Sequence, residues 1–264
     1  MKFGMPTLIE LPDMEDSARL CRELGLQFVE FNMNLPQYQP HTLDRRGLDR
    51  IRKEYGISYT VHLDENMNVA DFNPYVMEGY FRTVKETVNL AKDLEIPVLN
   101  MHLSRGVHFT LPDRKVFLFD QFREDYLRRI RAFRDFCTET VGNAPIKICL
   151  ENYSGYLDFQ KEAIGALLES PVFGLTLDVG HNHCTEHCDE AITLKNRSRL
   201  CHMHLHDARG KQDHQALGDG EVDIRRYFDL ARSCGCSVLL ETKTIAGLRT
   251  SVEWKNKNLL FNDV

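Results

Sequence analysis

No stretch of this chain approaches the roughly 20 apolar residues of a membrane helix, and its opening MKFGMPTLIELPD lacks a secretory apolar run. A cytoplasmic location without a membrane partner is therefore expected. Positive charge is not in excess: 33 Lys and Arg against 39 Asp and Glu leave a formal net charge of -6. Such a balance provides no overall basic field to attract nucleic acid, although a local basic groove is not excluded. Low-complexity runs, linkers and blocks of like charge are missing, so nothing marks a boundary and one domain over 1–264 is expected. The cysteines lack a framework spacing, and Cys21, Cys137 and Cys149 sit in apolar or amphipathic segments. They read as buried reduced thiols rather than disulfide partners. Cys234 and Cys236 are too close in sequence for an unstrained bridge.

What is present is a strict alternation of strand and helix patterns. Strands are expected at 2–7, 28–32, 58–63, 98–103, 146–152, 173–179, 200–206 and 237–242. Helices are expected at 14–24, 43–55, 74–94, 116–141, 160–169, 187–197, 223–234 and from about 247. Eight such repeats predict an α/β chain folded as a single-domain (β/α)8 TIM barrel. Gly25, Gly56 and Gly235 follow helical patterns where a left-handed residue stops a helix. The irregular stretches 32–42, 103–114 and 207–222 all follow strands, which puts them at the C-terminal mouth where barrel enzymes keep their sites.

Eight titratable residues fall where strands run out: His62, His102, Glu151, Asp178, His181, His204, His214 and Glu241. Side chains in a strand alternate between faces. Thr60 with His62, Asn100 with His102, Cys149 with Glu151, Thr176 with Asp178, His202 with His204 and Leu239 with Glu241 therefore share the inner face. Val61, Met101, Leu150, Leu177, Met203 and Leu240 face the helices. Burying three carboxylates beside imidazoles without a cation would cost several kcal/mol each, so a divalent metal centre is expected. Mixed imidazole and carboxylate donors suit Zn or Mn, and eight donors suggest two or three ions, or one ion with catalytic groups. His202 and His206 share the parity of His204 one layer below and above it, so either could support a ligand from behind, and His206 is the better reserve ligand. HNHCTEHC at 181–188 lacks a second pair at zinc-finger spacing, so only His181 is expected to face the mouth. Trp254 reads as packing, and Phe109, Tyr153 and Tyr156 as mouth-loop aromatics that could stack a sugar or anchor a loop.

The motifs LEN at 150–152, LDVGH at 177–181, HLHD at 204–207, DHQALGDG at 213–220 and LLET at 239–242, in this order, resemble the xylose-isomerase-like barrel superfamily along essentially the whole chain. That superfamily includes sugar and sugar-phosphate isomerases and epimerases, and apurinic/apyrimidinic endonucleases. In the isomerase branch the resemblance implies one Mn-like ion on Glu151, Asp178, His204 and Glu241. Glu151 and Glu241 would exchange a proton next to a metal-polarised carbonyl, with His181 and Arg209 on substrate oxygens. Lys211 and Asn100 complete the expected substrate contacts. In the endonuclease branch the resemblance implies three zinc ions, with His62, His102, His181 and His214 as added ligands. Here the chain departs: an aspartate is implied two positions before His214, and Gln212 stands there with Asp213 adjacent.

The expected function is therefore a metal-dependent sugar or sugar-phosphate isomerase or epimerase acting on a small carbohydrate. The alternative is a zinc-dependent endonuclease-like phosphodiesterase, and a non-catalytic metal-binding barrel comes third. Nucleic acid is the secondary partner. Composition leaves a homo-oligomer open.

Overall fold

Eight parallel strands pair in chain order and close on themselves in the computed structural model, which describes residues 1–259. They are β1 (Phe3–Pro6), β2 (Phe28–Asn32), β3 (Ser58–His62), β4 (Val98–His102), β5 (Lys147–Glu151), β6 (Phe173–Asp178), β7 (Leu200–Leu205) and β8 (Ser237–Leu240). Around them run α1 (Met14–Glu23), α2 (Arg45–Tyr55), α3 (Pro74–Leu94), α4 (Arg123–Val141), α5 (Asp158–Leu168), α6 (Glu190–Lys195), α7 (Ile224–Cys234) and α8 (Ile245–Leu259). This is the expected (β/α)8 barrel. No helix among the described residues is long and apolar enough to cross a membrane.

The alternation read from sequence separates two layers of packing. Val61, Met101, Leu150, Leu177, Met203 and Leu240 are all fully buried in the hydrophobic layer between sheet and helices. Each such side chain removed from water contributes about 1.5–3 kcal/mol. Inside the barrel lie Glu30, Thr60, Asn100, Thr176, His202 and His204, also buried but polar. Local signals set the ends: Asn73 caps α3 by accepting from the Tyr75 amide at 3.1 Å, with Pro74 at its first position. Gly56 and Gly235 end α2 and α7 in the left-handed conformation, φ 63 and 72.

Differences from expectation lie in the mouth loops. The helix expected over 116–141 begins later, because His108–Thr110 and Lys115–Phe117 pair as an antiparallel hairpin. A short helix, Leu118–Gln121, follows, and the chain breaks at Phe122 before α4. A second hairpin joins Asp207–Arg209 to Gln212–Gln215 across Gly210, whose φ is 56. The helix expected from 187 starts at Glu190, since Glu186 and His187 both adopt positive φ.

Candidate metal and active site

Strand register brings the mouth residues together. His102 is the Cα partner of Glu151, and Asp178 is the partner of His204. Glu151, Asp178, His204 and Glu241 each offer a ligand atom, all four lying within 4.8 Å of one another. The His204 imidazole is at their centre: Nδ1 is 2.8 Å from Glu241 Oε2, 3.3 Å from Glu151 Oε1 and 3.8 Å from Asp178 Oδ2. All four residues are buried.

The donor set fits a divalent ion. Both His204 ring nitrogens and Glu241 Oε2 are buried and have no aligned hydrogen-bond partner, and the same holds for His102 Nε2 and His181 Nδ1 at the rim. Buried polar atoms are normally satisfied. One imidazole nitrogen and three carboxylate oxygens converging on one point match the donors that Zn or Mn accepts.

Each member is braced from behind. Asp178 caps the short helix Val179–Cys184, accepting from the His181 amide at 2.6 Å. Asn152 clamps the same residue, since its amide exchanges hydrogen bonds of 2.9 Å with the Asp178 backbone N–H and carbonyl. His206 supports the Asp178 carboxylate, its Nε2 lying 3.0 and 3.1 Å from the two oxygens. The His214 amide donates to His206 Nδ1 at 2.8 Å, so Nδ1 is the acceptor and the ring proton is on Nε2, facing Asp178. His206 thus supports Asp178 from behind, one of the two roles its parity allows. Gly180 is required beside it, because a Cβ there would lie 2.0 Å from His206 Cε1.

Glu151 is the most contacted group. Asn100 donates to its Oε2, and His62 Nε2 lies 3.2 Å from that oxygen. His102 and His181 approach Oε1 at 3.5 and 3.9 Å. Burial opposes the charge of Glu151, but His204 and His102 outweigh it and hold the carboxyl well below its usual range. Glu241 behaves alike, with His204, Lys243 and His214 overcoming burial. Both carboxylates are thus ionised at neutral pH. His62 Nδ1 lies 2.8 Å from the Leu63 carbonyl, which only accepts, so Nδ1 carries the proton there and Nε2 faces the site. Burial lowers His214 to about 4, leaving it a neutral imidazole.

The structure also places residues that sequence reasoning passed over. Lys243 donates to Glu241 Oε1 at 2.9 Å and lines the mouth. Glu30 lies beneath His204, with Oε1 3.2 Å from His204 Nε2. Asp213, noted in the sequence beside Gln212, has its Oδ2 3.5 Å from His181 Nε2. The signals existed: Glu30 is inward by parity within FVEFN, and Lys243 is two residues beyond Glu241.

Above these groups the mouth opens into a cavity of about 650 Å3, lined by His62, His102, Glu151, His181, His214 and Glu241 among others. Tyr153 lines it and stacks on His102 with ring centroids 4.6 Å apart. A narrower lobe of about 190 Å3 continues past His62, Glu241 and Lys243 toward Thr7, Asn32 and Glu30. Arg209 and Lys211 do not line either space; Arg209 instead donates to the Asp219 carbonyl at 2.9 Å. Phe109 is 58% exposed on its hairpin, whereas Tyr156 is buried. In the HNHCTEHC segment, His181, His183 and Cys184 belong to a short helix rather than a loop. His183 faces Glu221, and His187 faces Asn182 and Tyr227. The cysteines are free thiols among the described residues.

Comparison with known proteins places this geometry. The fold matches a D-tagatose 3-epimerase-like protein with TM-score 0.79 and 21% identity over 97% of this chain and 96% of that one. It matches 3-keto-D-glucoside 4-epimerase, YcjR, from E. coli with TM-score 0.75 and 16% identity over 97% and 99%. It matches the IOLI protein with a bound zinc atom at TM-score 0.74 and 14% identity over 97% and 96%. Residues 18–257 match the family described as xylose isomerase-like TIM barrel, and the chain belongs to that family.

Proposed function

We propose that this protein is a metal-dependent isomerase or epimerase of a small sugar or sugar phosphate. The observation that carries this reading is the pair of buried glutamates, Glu151 and Glu241, that converge on His204 Nδ1 at 3.3 and 2.8 Å. Both line one cavity of about 650 Å3, within the roughly 300–1,000 Å3 range of small-molecule sites. Epimerisation at a carbon next to a carbonyl needs one group to remove a proton and another to return it.

Glu151, Asp178, His204 and Glu241 would hold the ion, Zn or Mn by donor type. When bound it supplies Lewis-acid polarisation of a substrate carbonyl. Glu151 would take the proton from the adjacent carbon, and Glu241, ionised at rest, would return one only after gaining a proton from the Lys243 ammonium that donates to it, with Lys243 recharged and Glu151 discharged by solvent. Lys243, donating to Glu241 at 2.9 Å, keeps that carboxylate oriented and offers N–H groups to substrate oxygens. His181 faces the same space and holds a second oxygen. Tyr153, stacked on His102, excludes water from one wall.

A second reading has its own observation. His62, His102 and Glu151 form a further group at ligand distance, as do His181, His206 and His214. These favour added ions and thus the phosphodiesterase alternative.

The test is turnover of a panel of ketoses and ketose phosphates with Mn or Zn in deuterated solvent, read by NMR. Deuterium should enter at the carbon beside the carbonyl. Glu151→Gln and Glu241→Gln should each lower turnover by about 10²–10⁴-fold while remaining folded. Near-normal turnover in either variant refutes the mechanism, and cleavage of an abasic-site oligonucleotide without sugar turnover establishes the alternative.

A further inference from the structure

Beneath the four candidate ligands lies a buried carboxylate that the proposed chemistry does not use. Glu30, from the middle of β2, is 2% exposed, and His202 and His204 next to it are fully buried. The two oxygens of Glu30 are divided. Oε2 accepts from the Thr60 hydroxyl at 2.8 Å and lies 3.3 Å from His202 Nε2. Oε1 lies 3.2 Å from His204 Nε2. Glu30 and Thr60 are Cα partners across β2 and β3, so sheet register fixes the hydroxyl that pins the carboxylate. His202 is pinned in turn, its Nδ1 2.6 Å from the Ser237 hydroxyl.

His204 thus has one ring nitrogen toward each carboxylate layer, Nδ1 toward the mouth and Nε2 toward Glu30. A neutral imidazole carries one N–H and one lone pair, and a metal can use only the lone pair. With the proton on Nδ1, the lone pair of Nε2 would face the anion of Glu30 and no nitrogen would serve the mouth. With the proton on Nε2, the N–H faces Glu30 and the lone pair of Nδ1 joins Glu151, Asp178 and Glu241. A buried carboxylate behind a metal-binding histidine fixes ring tautomer and orientation and makes the ring a better donor.

We infer that Glu30 is a positioning residue: its anion, 3.2 Å from His204 Nε2, favours the ring proton on that nitrogen so that Nδ1 is presented to a divalent ion in the mouth. The inference rests on the proposed ion site but not on the identity of the substrate. Thr60 supports Glu30 through its single hydroxyl, so Thr60→Val should have a smaller effect of the same sign.

The experiment is zinc titration of the chelator-treated full-length chain by calorimetry, comparing wild type, Glu30→Ala, Glu30→Gln and Thr60→Val. Circular dichroism identifies the variants that remain folded. Glu30→Ala should bind zinc about 10- to 100-fold more weakly, the range for loss of such a supporting partner. Glu30→Gln retains an oxygen acceptor of the same shape and should fall between Ala and wild type, which also covers the case in which the Ala variant does not fold. In the zinc-loaded wild type, ¹⁵N–¹H correlation of the imidazole should place the His204 proton on Nε2. Folded Glu30→Ala and Glu30→Gln binding zinc as tightly as wild type, or a His204 proton on Nδ1 in the loaded protein, would overturn the positioning role alone. No zinc binding by the wild type would overturn the ion site as well.

Discussion

Raising the pH of the metal-free chain should cost stability through one identifiable histidine. His62 is 8% exposed and its Nε2 lies 3.2 Å from Glu151 Oε2. Burial opposes its charge, but Glu151 outweighs burial and lifts the imidazole from 6.5 to about 9. A rise of that size is worth ~3 kcal/mol of native-state stability. The folded pKa is the higher one, so the contribution is fully present below pH 6.5 and is lost as the pH climbs through about 9. His214 has the opposite sign: lowered to about 4 by burial, it withdraws stability as the pH falls from 6.5 toward 4. The assay is urea unfolding of chelator-treated wild type and His62→Gln at pH 6.5 and pH 9.5. Subtracting the variant cancels groups common to both, including Cys201, which Cys149 pulls down to about 7. The advantage of wild type over variant should shrink by ~3 kcal/mol between the two pH values. Saturating zinc should flatten that difference, because an ion against Glu151 replaces the imidazolium charge. A wild-type advantage that stays constant or grows with pH would refute the ion-pair reading of His62.

Two further outcomes bear on the same site. Gly180→Ala places a Cβ 2.0 Å from a His206 ring that is already held by Asp178 and the His214 amide, so the ring cannot retreat. Overpacking of this kind costs about 1–3 kcal/mol, so urea unfolding should show that loss and calorimetry weaker zinc binding; unchanged values for both would contradict the brace. Elemental analysis of purified protein should find at least one divalent ion per chain, and chelation should lower the thermal midpoint. Ligand at 1,000 times its Kd stabilises by about 4 kcal/mol, so a midpoint indifferent to chelator and to added Mn or Zn would exclude a resident ion.

The barrel was legible because each strand carries its own evidence: a short apolar run, alternation, and a polar residue at the C-terminal end. Register then did what sequence cannot, bringing residues as far apart as Glu151 and Glu241 within reach of His204. The mouth hairpins were harder to read. DAR and QDHQ contain almost no β-branched or apolar residues, and the pairing depends on a turn at Gly210. Glu30 escaped for a related reason, since a carboxylate in mid-strand usually reads as solvent-facing, and only the closed barrel puts it under an imidazole. His206 shows the limit of parity: it faces inward like His204, yet the His214 amide, brought back by the hairpin that follows it, donates to its Nδ1 and turns its Nε2 to Asp178.

Charge at the mouth ties the substrate class to the number of ions. Glu151, Asp178 and Glu241 present three negative charges at the point where substrate would bind, and Asp213 adds another near His181. A single divalent ion leaves this cluster short of neutrality unless Lys243, in contact through Glu241, and the His62 imidazolium beside Glu151 add their charge. A neutral ketose meets no penalty there, whereas a phosphodiester would be repelled unless two or three ions reversed the sign. The mouth-loop arginines do not supply the missing cations. Arg105 donates to the Ser154 and Gly155 carbonyls, Arg114 pairs with Asp113, and Arg209 donates to the Asp219 carbonyl. Nucleic-acid binders place such residues on phosphates instead. With those guanidiniums engaged internally, added ions on the outer histidines are the strongest means of making the mouth phosphate-seeking, so a chain holding one ion favours a neutral ketose over a sugar phosphate or a phosphodiester.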